Sequence, residues 1–257
     1  MLLIDGFNIV RRIYEALAQT DPVKQAERTV SSSIASFSRA LEEHKSSHVL
    51  AAFDYGGPTW RHQLYPAYRA HRPPMPEPLK NVLPEIFGGI EKLGIRTVLV
   101  PGVEADDVLA AVFRHWRAAG RGQATILSTD KDLLPLVAEG VCIWDHFGRF
   151  WRNEAWILEK FGVGSAVLQD LFALTGDATD GIPGVPGVGL KTAAKWLRAY
   201  GSLEQILARA EEIPGKAGDA LRAHIKQVRL SRKLVDFHTD IKIGVTWNEL
   251  RREPKAA

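Results

Sequence analysis

The chain carries one cysteine, Cys142, in 257 residues. No disulfide can form within it, and a reducing, cytoplasmic setting suits it. Cys142 lies in an apolar run and is expected in the core. The eight histidines show no metal-ligand spacing, so a zinc site built on nitrogen and sulfur is not expected. No apolar run reaches the roughly 20 residues that a membrane helix needs. The N-terminus opens at once on a strand-like Leu2-Leu3-Ile4, without a basic segment before it, so neither a membrane span nor a secretory signal is expected. Low-complexity tracts and internal repeats are also missing. A composition of 46% hydrophobic and 25% charged residues excludes general disorder and leaves ample material for a core.

A formal net charge of +3 and a pI near 9.0 say little alone about a polyanionic partner. The distribution says more. Between Gly184 and Lys233 ten Lys/Arg stand against four Asp/Glu, while the acids gather elsewhere in short motifs. A basic half beside an acidic site is what a metal-dependent nuclease requires.

Short apolar runs at Leu2–Ile4, Val49–Phe53, Arg96–Val100, Ala124–Leu127 and Val141–Trp144 read as buried parallel strands. Helical stretches fall between them, among them Gln25–Glu43, Ala105–Ala118 and Lys131–Val137. This alternation predicts an α/β fold, a mostly parallel central sheet flanked by helices. From Trp156 to about Val235 the pattern is helical. Two regions are expected: an α/β core over 1–160 and a helical region over 161–250, with a frayed end around Pro254. Thr59–Pro84 breaks the pattern. Its Pro73-Pro74, Pro76 and Pro78 forbid a continuous helix there.

The chemical signal is where the acids fall. Asp5 follows the first strand and Asp54 the second. Glu104, Asp106 and Asp107 follow the third, and Asp130 and Asp132 the fourth. Ligands of open α/β sheets bind beyond the carboxyl ends of the strands. Glu104 and Asp107, three apart, would share a helix face. Any one of these acids has a plain explanation as a helix cap or a dipole partner. Seven at one edge would repel one another unless a cation joined them. Hard oxygen ligands suit Mg²⁺, with Mn²⁺ as a substitute, and more acids than one ion needs point to two ions. Two ions about 4 Å apart can activate water and stabilise the leaving oxygen of a phosphodiester.

Asp177 and Asp180 precede a run rich in Gly and Pro, from Ile182 to Lys191, that enters a helix. Gly184, Gly187 and Gly189 permit a tight hairpin whose N–H groups can approach a phosphate closely. Lys191, Lys195 and Arg198 follow at helical spacing. Such a device grips phosphates without reading sequence. A plain loop joining two helices is the competing reading, equal on composition. The Gly-Leu-Lys entry to the helix tips the balance toward DNA.

Together the motifs Leu3-Ile4-Asp5-Gly6, Phe53-Asp54, Trp60-Arg61-His62, Tyr68–Pro76, Glu104-Ala105-Asp106-Asp107, Ser128–Asp132 and Gly176–Ala193 resemble the 5′ nuclease superfamily. That superfamily includes flap endonucleases, phage 5′-exonucleases and the N-terminal nuclease of bacterial DNA polymerase I. The likeness spans the chain, and within it the standalone bacterial exonuclease IX group is nearest. The resemblance implies a structure-specific, metal-dependent 5′ nuclease in the bacterial cytoplasm, monomeric, acting on DNA with 5′ flaps, overhangs or branches. It implies Asp5, Asp54, Glu104 and Asp106 as ligands of a first ion, with Asp107 close by, and Asp130, Asp132 and Asp177 as ligands of a second. Asp180 matches a further acid of bacterial members. The hairpin from Gly184 to Lys191 resembles the helix-three-turn-helix that holds duplex DNA and binds K⁺ through backbone carbonyls, here those of Val185 and Val188. The stretch from about Trp60 to Glu91 resembles the helical arch through which a 5′ strand passes.

By the same resemblance Arg12, Arg61, Arg72 and Tyr68 are substrate contacts, Arg12 on a phosphate and Tyr68 by stacking on a base. Unaided, Arg12 reads as a solvated helix residue and Tyr68 equally well as packing. Arg69 stands where members commonly carry Lys. It can neutralise a phosphate but cannot give up its proton. The exonuclease IX group lacks the acids matching Asp177 and Asp180, so keeping both favours a complete two-ion site. Two rival readings stay open at this point. One is a single-strand ribonuclease of the PIN-domain type, which lacks the arch and hairpin. The other is a DNA-structure binder with weak catalysis or none.

Overall fold

The structure, a computed structural model, describes residues 1–18 and 21–252; the expectation of a frayed end at Pro254 lies outside them. Six strands form one sheet in the order β3-β2-β1-β4-β5-β6, with β1 Leu2–Asp5, β2 Val49–Ala52, β3 Arg96–Val98, β4 Thr125–Leu127, β5 Cys142–Asp145 and β6 Phe150–Trp151. The first five are parallel, as the alternation of strand and helix predicts, and β6 returns antiparallel on β5. Sequence reasoning missed β6, whose two residues are too few for any period to show.

The central strand β1 pairs with β2 on one side and β4 on the other, Ile4 sitting opposite Ala51 and Leu127. The chain therefore winds outward in both directions from β1. The gap beyond the carboxyl ends of β1 and β4 is a topological switch point, where α/β sheets open a crevice. Leu2 and Ile4 point to one face and Leu3 to the other, by the period of two that strands impose. One face packs on α1 (Gly6–Ala16), α2 (Pro22–His44) and α4 (Glu77–Lys92). The other packs on α5 (Ala105–Ala118) and runs without a break into the helical half, through Leu133, Leu171 and Ala193. Each large side chain buried in these layers stabilises by roughly 1.5–3 kcal/mol.

Local chemistry sets the element ends. Asp5 caps α1 by accepting from the Asn8 N–H. Asp21 caps α2, Pro22 fills its first turn, and Lys45 closes it with a left-handed φ of 43°. The prolines of Thr59–Pro84 do not keep the whole stretch irregular. A short helix α3 spans Trp60–Leu64, and α4 begins at Glu77 with Pro78 in its first turn, where a missing N–H costs nothing. Pro84 lies within α4. The expected helix at Lys131–Val137 is a 3-10 helix over Lys131–Glu139 with Pro135 inside it. Cys142 is half-buried at the start of β5 rather than in the core.

The C-terminal helices are α6 (Glu154–Phe161), α7 (Leu168–Thr175), α8 (Leu190–Tyr200), α9 (Leu203–Ala208), α10 (Gly215–Ala223) and α11 (Ile225–Leu234), followed by a short α12 (Trp247–Leu250). Beyond α12, Arg251 bridges back to His48. Among the described residues no helix is long and apolar enough to cross a membrane.

Candidate functional site

At the switch point, Asp5, Asp106 and Asp130 bring one carboxylate oxygen each within 4.8 Å of one another. Asp5 ends β1, Asp130 follows β4, and Asp106 lies in the first turn of α5. The scaffold aims them. Ser128 donates to Asp5 at 2.8 Å, the Asp132 N–H donates to Asp130 at 2.9 Å, and the Ala105 N–H donates to Asp54 at 2.8 Å. Asn8, which no sequence signal singled out, accepts from both the N–H and the hydroxyl of Thr129 at 3.0 Å, tying the ends of β1 and β4 together.

These carboxylates are costly to ionise side by side. Burial, then the neighbouring Asp130, pushes Asp5 up to about 7. Burial and Asp130 push Asp132 up to about 8. Asp106 is raised well above the carboxylate range by burial, Asp130 and Asp5, and Asp54 is raised by burial. A buried knot of mutually repelling oxygens is the donor chemistry that a hard divalent cation relieves, so the residues present fit the ion.

The remaining acids sit differently from the expectation. Asp107, expected among the metal ligands, is fully buried and lies apart from the Asp5–Asp106–Asp130 group. Arg61 grips it with two hydrogen bonds, at 2.8 and 3.0 Å, while the Trp60 indole N–H and the His238 N–H supply two more. The position three after Glu104 points it into the protein, where its lone pairs are already used. Arg61, expected as a DNA contact, is turned inward to this carboxylate. It is 5% exposed, and its other N–H groups bond the carbonyls of Leu234 and Asp236. Burial opposes its charge, but Glu104 and Asp107 outweigh that and raise its pKa.

Tyr68, expected to stack on a base, is likewise turned into the protein. At 2% exposed, it donates its hydroxyl to Glu104 at 3.1 Å. Arg69, at a left-handed φ of 52°, bonds Glu104 at 2.9 Å and Asp180 at 2.8 Å through its two terminal nitrogens. Glu104 also accepts from Thr59 at 3.0 Å. Both Glu104 oxygens and Asp180 thus take part in this network.

Asp177 pairs with Lys131, Nζ to Oδ2 at 2.5 Å. Burial works against its ionisation, but Lys131 prevails and lowers its pKa. Lys131 was not anticipated as a functional residue. Its place between Asp130 and Asp132 was the signal that could have found it. The pairs Lys131–Asp177 and Arg69–Asp180, with the Arg69 N–H on the Asp180 carbonyl at 2.9 Å, fasten the glycine-rich loop to the carboxylate edge.

In that loop Gly176 and Gly184 lie back to back. A Cβ on Gly184 would meet the Thr175 carbonyl carbon and the Gly176 nitrogen. Gly187 has a φ of 76°. The Val185 N–H bonds Leu174, Ser231 donates to the Pro183 carbonyl, and Gln227 donates to the Gly184 carbonyl. These contacts frame an open hollow of about 630 Å³ over Pro183–Gly189. No side chain caps α8, so its first N–H groups remain available, with Lys191 and Lys195 exposed beside them. Arg198 instead folds back onto the Gly162 carbonyl.

Arg12 and Arg72 line the cleft over the acid cluster, as do the unanticipated Arg11 and Lys80. Burial and the proximity of Arg72 lower the Arg11 pKa, against the opposing pull of Glu15 and Asp54.

Residues 1–162 match the family described as 5′-3′ exonuclease, N-terminal resolvase-like domain, and residues 163–257 match 5′-3′ exonuclease, C-terminal SAM fold. The chain is 35% identical over 250 residues to a flap endonuclease Xni of Shewanella oneidensis, covering 97% of this chain and 94% of that protein. A flap endonuclease Xni of Vibrio cholerae is 34% identical over 259 residues, covering 100% of this chain and 98% of that protein. Among solved structures, a mutant T5 5′-exonuclease shares the fold at a TM-score of 0.73 and 23% identity, over 92% of this chain and 87% of that one. A bacteriophage T5 D15 flap endonuclease in a pseudo-enzyme-product complex with DNA and metal ions does so at 0.74 and 22%, over 92% and 88%. With both halves matched in order and full-length relatives at about a third identity, the chain belongs to the 5′-3′ exonuclease family.

Proposed function

We propose that the chain is a structure-specific 5′ nuclease that hydrolyses phosphodiesters of flapped or branched DNA and depends on divalent metal ions. One observation carries the reading. Asp5, Asp106 and Asp130 converge at the switch point beneath a cationic cleft, and the glycine-rich loop is fastened to that same edge. The full-length relatives named flap endonuclease Xni support it.

Asp5, Asp106 and Asp130, with Asp54 beside them, are the residues we assign to a first ion. Asp132 and Asp177 are those left for a second, which requires Lys131 to release Asp177. Mg²⁺ is the ion proposed, with Mn²⁺ as substitute; bound there, it supplies the positive charge that polarises a phosphoryl oxygen and eases deprotonation of water. Arg11, Arg12, Arg72 and Lys80 draw the phosphodiester backbone into the cleft. Arg69 stays protonated between Glu104 and Asp180 and acts as a fixed charge, never as a base. The hairpin N–H groups, Lys191 and Lys195 hold duplex phosphates, and the carbonyls of Val185 and Val188 are a place for K⁺. The unit proposed is a monomer acting in the cytoplasm.

The test is cleavage of a 5′-labelled flap duplex with Mg²⁺ and with chelator, mapping the cut, beside a single-stranded RNA of the same length. Cutting near the flap junction that chelator abolishes is the expected result. Preferential cutting of the RNA, or full activity in chelator, would sink the reading.

A further inference from the structure

The turn that carries Asp130 is held from three sides. Asn8 of α1 takes the N–H and the hydroxyl of Thr129, and the Ser128 N–H bonds the Trp144 carbonyl of β5. The third hold comes from Arg152, directly after β6. Its Nη1 donates to the Thr129 carbonyl at 2.7 Å, and its Nη2 donates to Asp145, at the end of β5, at 2.8 Å.

Arg152 is itself closely held. Its side chain is 13% exposed, and its guanidinium lies 4.9 Å from the centre of the Trp156 ring on α6. Its backbone N–H bonds the Ile143 carbonyl. Burial opposes the ionisation of Asp145, but the Gly148 N–H and Arg152 prevail and hold its carboxyl below the usual range. A guanidinium serving Asp145 alone could present Nε and a terminal nitrogen to it side by side. This one leaves Nε buried without a partner among the described residues and turns its other terminal nitrogen to Thr129.

The Thr129 carbonyl and the Asp130 N–H belong to one planar peptide, so holding the oxygen fixes the direction of the N–H and the start of Asp130. That N–H donates to the Ser128 hydroxyl oxygen at 2.9 Å, and the Ser128 hydroxyl donates to Asp5 at 2.8 Å. A line of donors therefore runs from Arg152 through a peptide and a hydroxyl to a carboxylate. Every bond in it points the same way, so the cation polarises each link in turn. Asp5 and Asp130 are two of the three converging acids, while Arg152 does not line the cleft above them.

We propose that Arg152 is a positioning residue of the metal site. Through the Thr129–Asp130 peptide it holds Asp130 and Asp5 in the arrangement that receives a divalent ion. The proposal rests on the nuclease reading and gives the β5–β6 hairpin a part in it.

Calorimetric titration of the full chain with Ca²⁺ tests it, beside flap cleavage against Mg²⁺ concentration, flap binding in chelator, and melting. Arg152→Ala and Arg152→Gln are expected to weaken Ca²⁺ binding by about ten- to a hundredfold, the usual loss when a partner behind a metal ligand is removed. The Mg²⁺ needed for half-maximal cleavage should rise in step, with flap affinity in chelator unchanged. Arg152→Lys, which keeps the charge and a donor, should recover most of the Ca²⁺ affinity. Should the Ala variant not fold, the Gln and Lys variants decide. A folded Ala or Gln variant that melts lower yet binds Ca²⁺ as the wild type does makes Arg152 a packing residue and overturns the proposal. A Lys variant as weak as the Gln one overturns it too. Ca²⁺ binding weakened in the variants, beside a wild type that binds Ca²⁺ but does not cut flap DNA in Mg²⁺, keeps the role of Arg152 and overturns the nuclease reading. A wild type that neither binds Ca²⁺ nor cuts overturns both.

Discussion

Arg61 holds Asp107 in a two-pronged ion pair, Nη1 to Oδ2 at 2.8 Å and Nη2 to Oδ1 at 3.0 Å, with side chains 6% and 0% exposed. The same guanidinium bonds the carbonyls of Leu234 and Asp236. It therefore clamps α3, the start of α5 and the end of α11 together. Arg61→Ala leaves a buried carboxylate without its counter-ion, held only by the Trp60 and His238 N–H groups, at a cost of about 3–5 kcal/mol. Urea unfolding of the variant measures this. Unchanged stability with lost DNA affinity would instead return Arg61 to the substrate.

The carboxylate edge makes the metal-free protein sensitive to pH. Asp5 moves from the ordinary 3.8 up to about 7, and Asp132 up to about 8. Across that window the folded state holds more protons than the unfolded chain, so stability falls as pH rises from about 4 to about 8. The penalty is absent below the unfolded value and complete above the folded one. Thermal melting in chelator should show Tm declining over this range, Mg²⁺ should restore it at pH 8, and Asp5→Asn should flatten the decline. A Tm that climbs with pH in chelator contradicts the assignment.

Asp130 stands at the crossing of the two acid groups, raising Asp5, Asp106 and Asp132 alike. Asp130→Ala should abolish detectable cleavage while flap binding persists, since the hairpin and the cleft cations are untouched. Paired cleavage and fluorescence-anisotropy titrations separate the two. Retained cleavage would remove Asp130 from the metal set.

Two glycines of the hairpin should fail for different reasons. Gly184→Ala drives a methyl into the backbone of Thr175 and Gly176, a steric clash costing about 1–3 kcal/mol. Gly187→Ala meets open space but must hold a φ of 76°, which costs about 1–2 kcal/mol. Melting should therefore show both destabilised, and Gly187→Asn, which tolerates that φ, should recover part of the loss where Gly184→Asn cannot.

Lys191 and Lys195 are exposed next to the open end of α8. Replacing either with Ala should weaken duplex binding for every sequence alike and reduce the salt dependence, the log–log slope becoming shallower by about one. Titrations across a range of salt decide it; an unchanged slope places the duplex elsewhere.

Much of the site was legible because it is written in local order. Acids placed directly after apolar runs put Asp5, Asp54, Asp106 and Asp130 at one sheet edge without knowledge of the strand order. The glycines of the hairpin announced a tight turn for the same reason. The reading failed where partners come from far along the chain. Nothing near Asp107 shows that Arg61, 46 residues away, has claimed it. Nor does the Tyr68-Arg69 pair disclose that both side chains reach Glu104 and Asp180 rather than a substrate.

The sequence by itself determined the alternation of strands and helices, the carboxylate edge and the glycine-rich hairpin, since propensity, period and backbone freedom act over a few residues. Tertiary structure alone decided which acids remain free. Burial makes an unpaired charge costly, so each buried carboxylate must be shared with a cation or a donor, and only the folded packing says which. It paired Asp107, Asp177 and Asp180 with Arg61, Lys131 and Arg69, and left Asp5, Asp106 and Asp130 facing one another.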